Sequence, residues 1–225
     1  MSYALKIKIV LLGAASLIFG VILMSWGLDD INGLLAHPAR TGLLLLLLVQ
    51  FLVIILFVPL AWTRGRLPAE PIDEHNRLVI FIGIMGILLF IMISPFSDRH
   101  EWMRLSDSDG LRYFGLFMVT LGVFFSTWAA VHLCQHLTIQ VQTNQYQLVT
   151  DGPFKLVRHP RDFGSILIFI GIPLVFLSSL GLLLAFLSTA GLFERISREE
   201  KMLQQQFQEE WSAYTQKTKC LIPWA

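Results

Sequence analysis

Apolar residues along this chain fall in long unbroken blocks rather than in alternating or one-faced patterns. Ala4 to Leu28, Thr41 to Trp62, Leu78 to Ser94 and Leu111 to about Cys134 are each close to the ~20 residues that carry an α-helix across hydrocarbon. The second holds six consecutive leucines, Leu43 to Leu48. A fifth block, Phe163 to Phe193, is too long for one ordinary span. Pro173 and Ser178-Ser179-Leu180-Gly181 interrupt it, which predicts two short tilted helices joined there. Polar stretches separate the blocks: Asp29 to Gly33, Thr63 to Arg77, with Pro68 and Pro71, and Ser97 to Asp109, after Pro95 closes the third block. No strand-like alternation of any length is present, and lipid excludes open strands. The pattern predicts an all-α integral membrane protein of about six transmembrane helices with a cytosolic C-terminal helix. Residues 1–136 form a four-helix transmembrane region and residues 137–225 a second region.

Composition agrees with that class. The chain is 55% hydrophobic and only 15% charged, too apolar for a soluble globule or a disordered chain. A net charge of +1 implies no nucleic-acid partner. Lys6 and Lys8 precede the first block, which is too long for a cleaved signal peptide and lacks a small-residue cleavage site. Charge also orients the spans. Of the 17 Lys and Arg, all but Arg40, Arg99, Arg104 and Arg112 fall at the termini or in the loops on one face. By the excess of positive charge on the inner side, both termini and the loop before the fifth block face the cytoplasm. The two cysteines, Cys134 and Cys220, then lie on the reducing side, so no disulfide is expected.

Candidate chemistry concentrates in Leu148 to Gly164. Gly152-Pro153 is a turn signal, and Pro160 suits the first turn of a helix starting near Asp162. Lys155, Arg158, His159 and Arg161 therefore crowd a helix N-terminus whose N–H groups are unpaired, a site for an anionic group. The simpler alternative is that these bases only fix topology. A second clue lies on the tail. With Arg195 to Tyr214 on a helix, Ile196, Leu203, Phe207, Trp211 and Tyr214 form an apolar stripe, and Glu199 and Glu200 fall on its edges. Carboxylates facing a packed side require a positive partner. Arg195, four residues before Glu199, offers a structural one; a bound cation is the other. His132 and His136 share a helix face and could ligate a metal, but no acidic or Cys partner is convincingly placed, so a helix-end pair is the simpler reading and no metal is expected. Six scattered histidines do not make an oxygenase site.

Gly152-Pro153-Phe154, Arg158-His159-Pro160 with Gly164, then Glu199-Glu200 with Leu203, Phe207, Tyr214 and Ile222-Pro223, resemble the isoprenylcysteine carboxyl methyltransferases. These are membrane enzymes related to the phospholipid N-methyltransferases. The resemblance covers roughly Gln142 to Pro223 and implies S-adenosylmethionine as cofactor, with 137–225 as the catalytic region. It implies that Gln142, Leu148, Val149, Phe154, His159, Pro160, Glu199 and Glu200 belong to the cofactor site. Arg195 would handle the substrate, acting with Glu199. The family pattern after Arg-His-Pro is x-Tyr-x-Gly; here Asp162 stands where that Tyr would be, removing an aromatic wall and adding a charge. The implied partner is an amphipathic or lipid-like small molecule in the bilayer, methylated on a carboxylate or another head group. Two other readings are weighed. An NADPH-dependent sterol-type reductase shares a similar Arg-His-Pro region, but this chain is short and lacks a basic cluster near Glu199-Glu200. A transporter would need polar residues at mid-span, and the spans are nearly free of charge.

Overall fold

In the computed structural model, which describes residues 3–57, 74–143 and 147–222, the apolar blocks are helical and no strand forms among the described residues. Helix α1 (Tyr3–Trp26) leads through a 3-10 turn into short α2 (Ile31–Ala36) and α3 (Pro38–Phe57). Helices α4 (Glu74–Arg99) and α5 (Asp109–Thr143) follow, then a 3-10 turn (Gly152–Lys155), α6 (Pro160–Val175) and α7 (Ser179–Lys217). Residue 58 onward of the second block, most of the loop to Arg77 and the closing Pro223 lie outside the described residues. Helix α5 runs through residues 136 and 137, where the sequence places the meeting of its two regions.

Among the described residues, two helices are long and apolar enough to cross a membrane, α5 over Asp109–His136 and α7, and a third candidate is the pair Leu12–Trp26 and Leu28–Ala36, bent by 81°. Two expected boundaries shift. Pro95 does not close the third block: α4 continues through it to Arg99. Proline removes one N–H from the helix, but the turn beyond it is anchored from outside, Asp98 by Arg112 and Arg99 by Asp29. The sixth span and the tail helix are not separate either. Helix α7 runs from Ser179 through the apolar-to-charged switch without interruption and kinks only at Gln208 (φ 41°) before reaching Lys217. The switch from apolar to charged sequence near Glu194 changes what the helix faces and leaves its backbone hydrogen bonding intact.

The elbow between α6 and α7 is Phe176–Ser178, just ahead of the Ser178 to Gly181 stretch. All three residues are buried. Such a turn must find partners for its backbone, and it does. Leu105 N–H donates to the Leu177 carbonyl (2.6 Å), Ser179 N–H donates to Met103 (3.1 Å), and Ser178 Oγ accepts from Gly181 N–H (2.9 Å). Arg112 donates to the Val175 carbonyl (2.8 Å). Thus the Met103–Leu105 segment and the start of α5 hold the point from which α7 departs.

Helices α5 and α6 are antiparallel and touch backbone to backbone. A Cβ on Gly122 would lie 2.5 Å from the Gly164 carbonyl oxygen, and one on Gly164 would lie 2.5 Å from that of Gly122. Gly115 and Gly171 meet in the same way, with a Cβ on either 2.7 Å from the other's carbonyl oxygen. Small residues at matched positions let membrane helices approach this closely. The core is completed by Ile22, Leu43, Phe90, Val119 and Ile172 from five helices, and by Phe176 of the elbow. Gly164→Ala is expected to push α6 away from α5 and to cost about 1–3 kcal/mol. A lowered unfolding midpoint in detergent would register it; an unchanged midpoint would mean the helices can separate freely.

Candidate functional site

Helix α6 begins at Pro160, with His159 as its N-cap residue, so the Arg-His-Pro run forms the corner between loop and helix. The loop is held there by the tail. Arg158 N–H donates to the Lys219 carbonyl (2.8 Å) and His159 N–H donates to that of Cys220 (3.1 Å). The Arg158 guanidinium donates to the Thr218 carbonyl (2.6 Å) and to Glu200 (2.9 Å) and lies over the Trp211 ring, 5.9 Å from its centre. The Tyr214 hydroxyl donates to the Phe154 carbonyl (2.6 Å). The apolar stripe expected on the tail is there, with Ile196, Trp211 and Tyr214 buried and Leu203 and Phe207 partly so. Trp211 and Tyr214 thus pack the end of α7 under the loop.

The two adjacent glutamates divide. Glu200 turns to the loop, within 3.1 Å of His159 Nε2 and 2.8 Å of Arg158 Nη2. Glu199 turns to an open cavity that is also lined by Phe154, Arg158, His159, Pro160, Arg161, Asp162 and Arg195. Ala129, Ala130 and Leu133 of α5 supply its apolar floor. A carboxylate oxygen of Glu199, one of Asp162 and a ring nitrogen of His159 all lie within 4.8 Å of one another.

Asp162, with a side chain only 4% exposed, accepts a hydrogen bond from the Arg195 guanidinium. The structural alternative, an intrahelical pair of Arg195 with Glu199, therefore gives way to a pairing across helices. Arg195 reaches the first turn of α6. Asp162 thus puts an ion pair where an aromatic wall would stand.

Among the residues singled out from sequence, Phe154, His159, Pro160, Asp162, Arg195 and Glu199 line the cavity. Leu148 and Val149 are half-buried on the approach to the loop and do not line it. Glu200 does not line it either, and Lys155 is exposed. Gln142 falls in the last turn of α5, and its side chain lies outside the described residues. Sequence reasoning treated Arg158 and Arg161 only as bases at a helix mouth. Arg158 is the hub of the loop-to-tail contacts, and Arg161 is a cavity residue.

Cys220 lies beside this hub. Burial, followed by the nearby Glu200 charge, pushes its thiol up to about 11. Alkylation proceeds through the thiolate, so iodoacetamide at pH 8 is expected to label Cys220 at least ~50-fold more slowly than an ordinary free thiol. Peptide mass spectrometry reads this; labelling at the ordinary rate would mean that the tail does not stay seated on the loop.

The family model for phospholipid methyltransferases matches residues 111–210. Among curated proteins, the chain is 25% identical over 156 residues to protein-S-isoprenylcysteine O-methyltransferase B of Arabidopsis thaliana, covering 68% of this chain and 75% of that protein. Protein-S-isoprenylcysteine O-methyltransferase A of the same plant is 24% identical over the same shares. A probable protein-S-isoprenylcysteine O-methyltransferase of Oryza sativa subsp. indica is 27% identical, over 60% of this chain and 72% of that protein. None of these relatives is a reductase.

Proposed function

From its similarity to the phospholipid methyltransferase family model and to isoprenylcysteine O-methyltransferases, we propose that this chain moves a methyl group from S-adenosylmethionine to the carboxylate of a lipid-like acceptor. The observation that carries the reading is the meeting of the Arg-His-Pro loop with Glu199 across one cavity.

The residues present fit such a donor. A sulfonium with an amino-acid tail is cationic at one end, carries a carboxylate, and has an apolar base. Asp162 and Glu199 supply negative charge, Arg158 and Arg161 positive charge, and Ala129, Ala130, Leu133 and Phe154 apolar surface. Glu199 would hold the positively charged part, and the face of Phe154 would add cation–π attraction. When bound, this donor supplies a methyl on a positively charged sulfur that departs as a neutral thioether.

The chain's own work is positioning. In-line displacement gains most from holding two groups at the right distance and angle. A carboxylate acceptor has no proton to lose and so needs no base, and because charge is lost as the ester forms, a dry site assists the step. Arg195 would hold the acceptor carboxylate. A guanidinium has five N–H donors in a planar fork, so the hydrogen bond to Asp162 leaves donors over. Asp162 keeps Arg195 extended across the cavity between turnovers. Glu200 would act by orientation, fixing Arg158 and His159 through the hydrogen bonds described above.

The excess of Lys and Arg on one face supports a cytoplasmic site, with the acceptor's apolar tail reaching it from the bilayer. The test is methyl uptake from labelled S-adenosylmethionine by purified protein in lipid nanodiscs, offered S-prenylated cysteine analogues, fatty acids and amine-headed lipids. Base-labile label in a carboxylate-bearing lipid is expected. Label confined to amine head groups would overturn the carboxylate assignment.

A further inference from the structure

His132 and His136 lie one helical turn apart on the last part of α5, and the structure adds the third group that their spacing lacked. Asp151 Oδ1 is 3.0 Å from His132 Nε2 and 3.4 Å from His136 Nε2. One ligand atom from each of the three residues falls within 4.8 Å of the others. In a tetrahedral zinc site with bonds near 2.05 Å, neighbouring ligand atoms stand about 3.3 Å apart. The two distances to Asp151 straddle that value.

Two further details suit a cation rather than a chance polar cluster. His136 Nδ1 lies 3.1 Å from the His132 carbonyl oxygen and would donate to it. In a neutral ring that tautomer offers the Nε2 lone pair on the side of Asp151, the usual outer hydrogen bond of a metal-ligating histidine. Gly152 makes the approach sterically feasible. It has φ +56°, and a Cβ there would lie 2.6 Å from the His132 ring. Only a residue without a side chain lets the loop place Asp151 over both rings.

We infer that His132, His136 and Asp151 form a binding site for a first-row transition-metal dication of the zinc class, pinning the loop that carries Phe154 onto α5. Imidazole donors select such an ion over magnesium or calcium. Asp151 is 63% exposed and His136 33% exposed, so the ion arrives from the aqueous side and its fourth position is left to water. The pinned loop holds the Phe154 wall, and the α5 turn that carries Ala129, Ala130 and Leu133 floors the same cavity. The inference does not depend on which reaction that cavity supports.

The experiment is calorimetric titration of tag-free, detergent-purified protein with zinc chloride at pH 7.5, with magnesium chloride as control. One equivalent of zinc is expected to bind, magnesium is not, and His132→Ala with His136→Ala together should weaken zinc binding at least 100-fold. If that double variant fails to fold, diethylpyrocarbonate footprinting of the wild-type protein replaces it. Zinc should then protect His132 and His136 from modification while leaving His100 reactive. No zinc binding, equal binding by the double variant, or unprotected His132 and His136 in zinc would each overturn the site.

Discussion

Glu199→Gln is expected to weaken S-adenosylmethionine binding by about 10–100-fold while leaving the unfolding midpoint of the ligand-free protein nearly unchanged. The magnitude is that of losing a hydrogen bond to a charged group, about 1.5–3 kcal/mol. The expectation that the fold survives comes from what Glu199 touches. It faces the cavity, whereas its neighbour Glu200 carries the contacts to Arg158 and His159. Glu200→Gln should therefore behave differently, lowering the midpoint and the affinity together because the loop loses its anchor. Calorimetric titration of both variants separates the two roles. Unchanged affinity in Glu199→Gln would remove this carboxylate from the cofactor site.

The largest effect on stability is expected at the opposite end of the helices, from Asp98→Asn. Asp98 has a side chain 2% exposed and accepts two hydrogen bonds from Arg112, each 2.7 Å, with Arg40 at 3.3 Å and Arg104 at 3.5 Å. Arg112 is itself 4% exposed. Removing one partner of a buried pair leaves the other charge without compensation, at a cost of about 3–5 kcal/mol. In a chain of this size that corresponds to a fall in midpoint of roughly 10 °C. Asp107→Asn is the matched control. Asp107 pairs with Arg104 at 2.5 Å but is 74% exposed, so its removal should cost no more than about 1 kcal/mol. Equal effects from the two substitutions would mean that the Asp98 cluster is wet. Because Arg112 also holds the Val175 carbonyl, this cluster fixes the elbow from which α7 carries Arg195 and Glu199 to the cavity.

Much of the site was legible because it is built from two local signals. The Arg-His-Pro run marks a helix start by its proline, and the tail helix marks itself by the Ile196 to Tyr214 stripe. Placing Glu199 and Glu200 on the edge of that stripe pointed to positive partners, and Glu200 has them in Arg158 and His159. Which of them meets protein was not legible, since adjacent helical residues point ~100° apart and the choice depends on where the loop lies. The elbow was readable to within a few residues from Pro173 and Ser178, because both alter backbone bonding locally. The continuity of α7 was not, because hydropathy reports surroundings rather than backbone pairing. The Arg195 to Asp162 pair joins residues 33 positions apart, and Asp98 with Arg112 joins the ends of two helices; no periodicity encodes either. Asp151 was missed for the same reason. Its approach to His132 depends on the left-handed backbone at Gly152.

The central claim is that the cavity between the Arg-His-Pro loop and α7 receives a methyl donor, and ligand-dependent thermal unfolding of the detergent-purified wild-type protein tests it most directly. S-adenosylmethionine and its demethylated product should each raise the midpoint in a concentration-dependent way, and NADPH should leave it where it is. Stabilisation by NADPH with no response to S-adenosylmethionine would contradict the account.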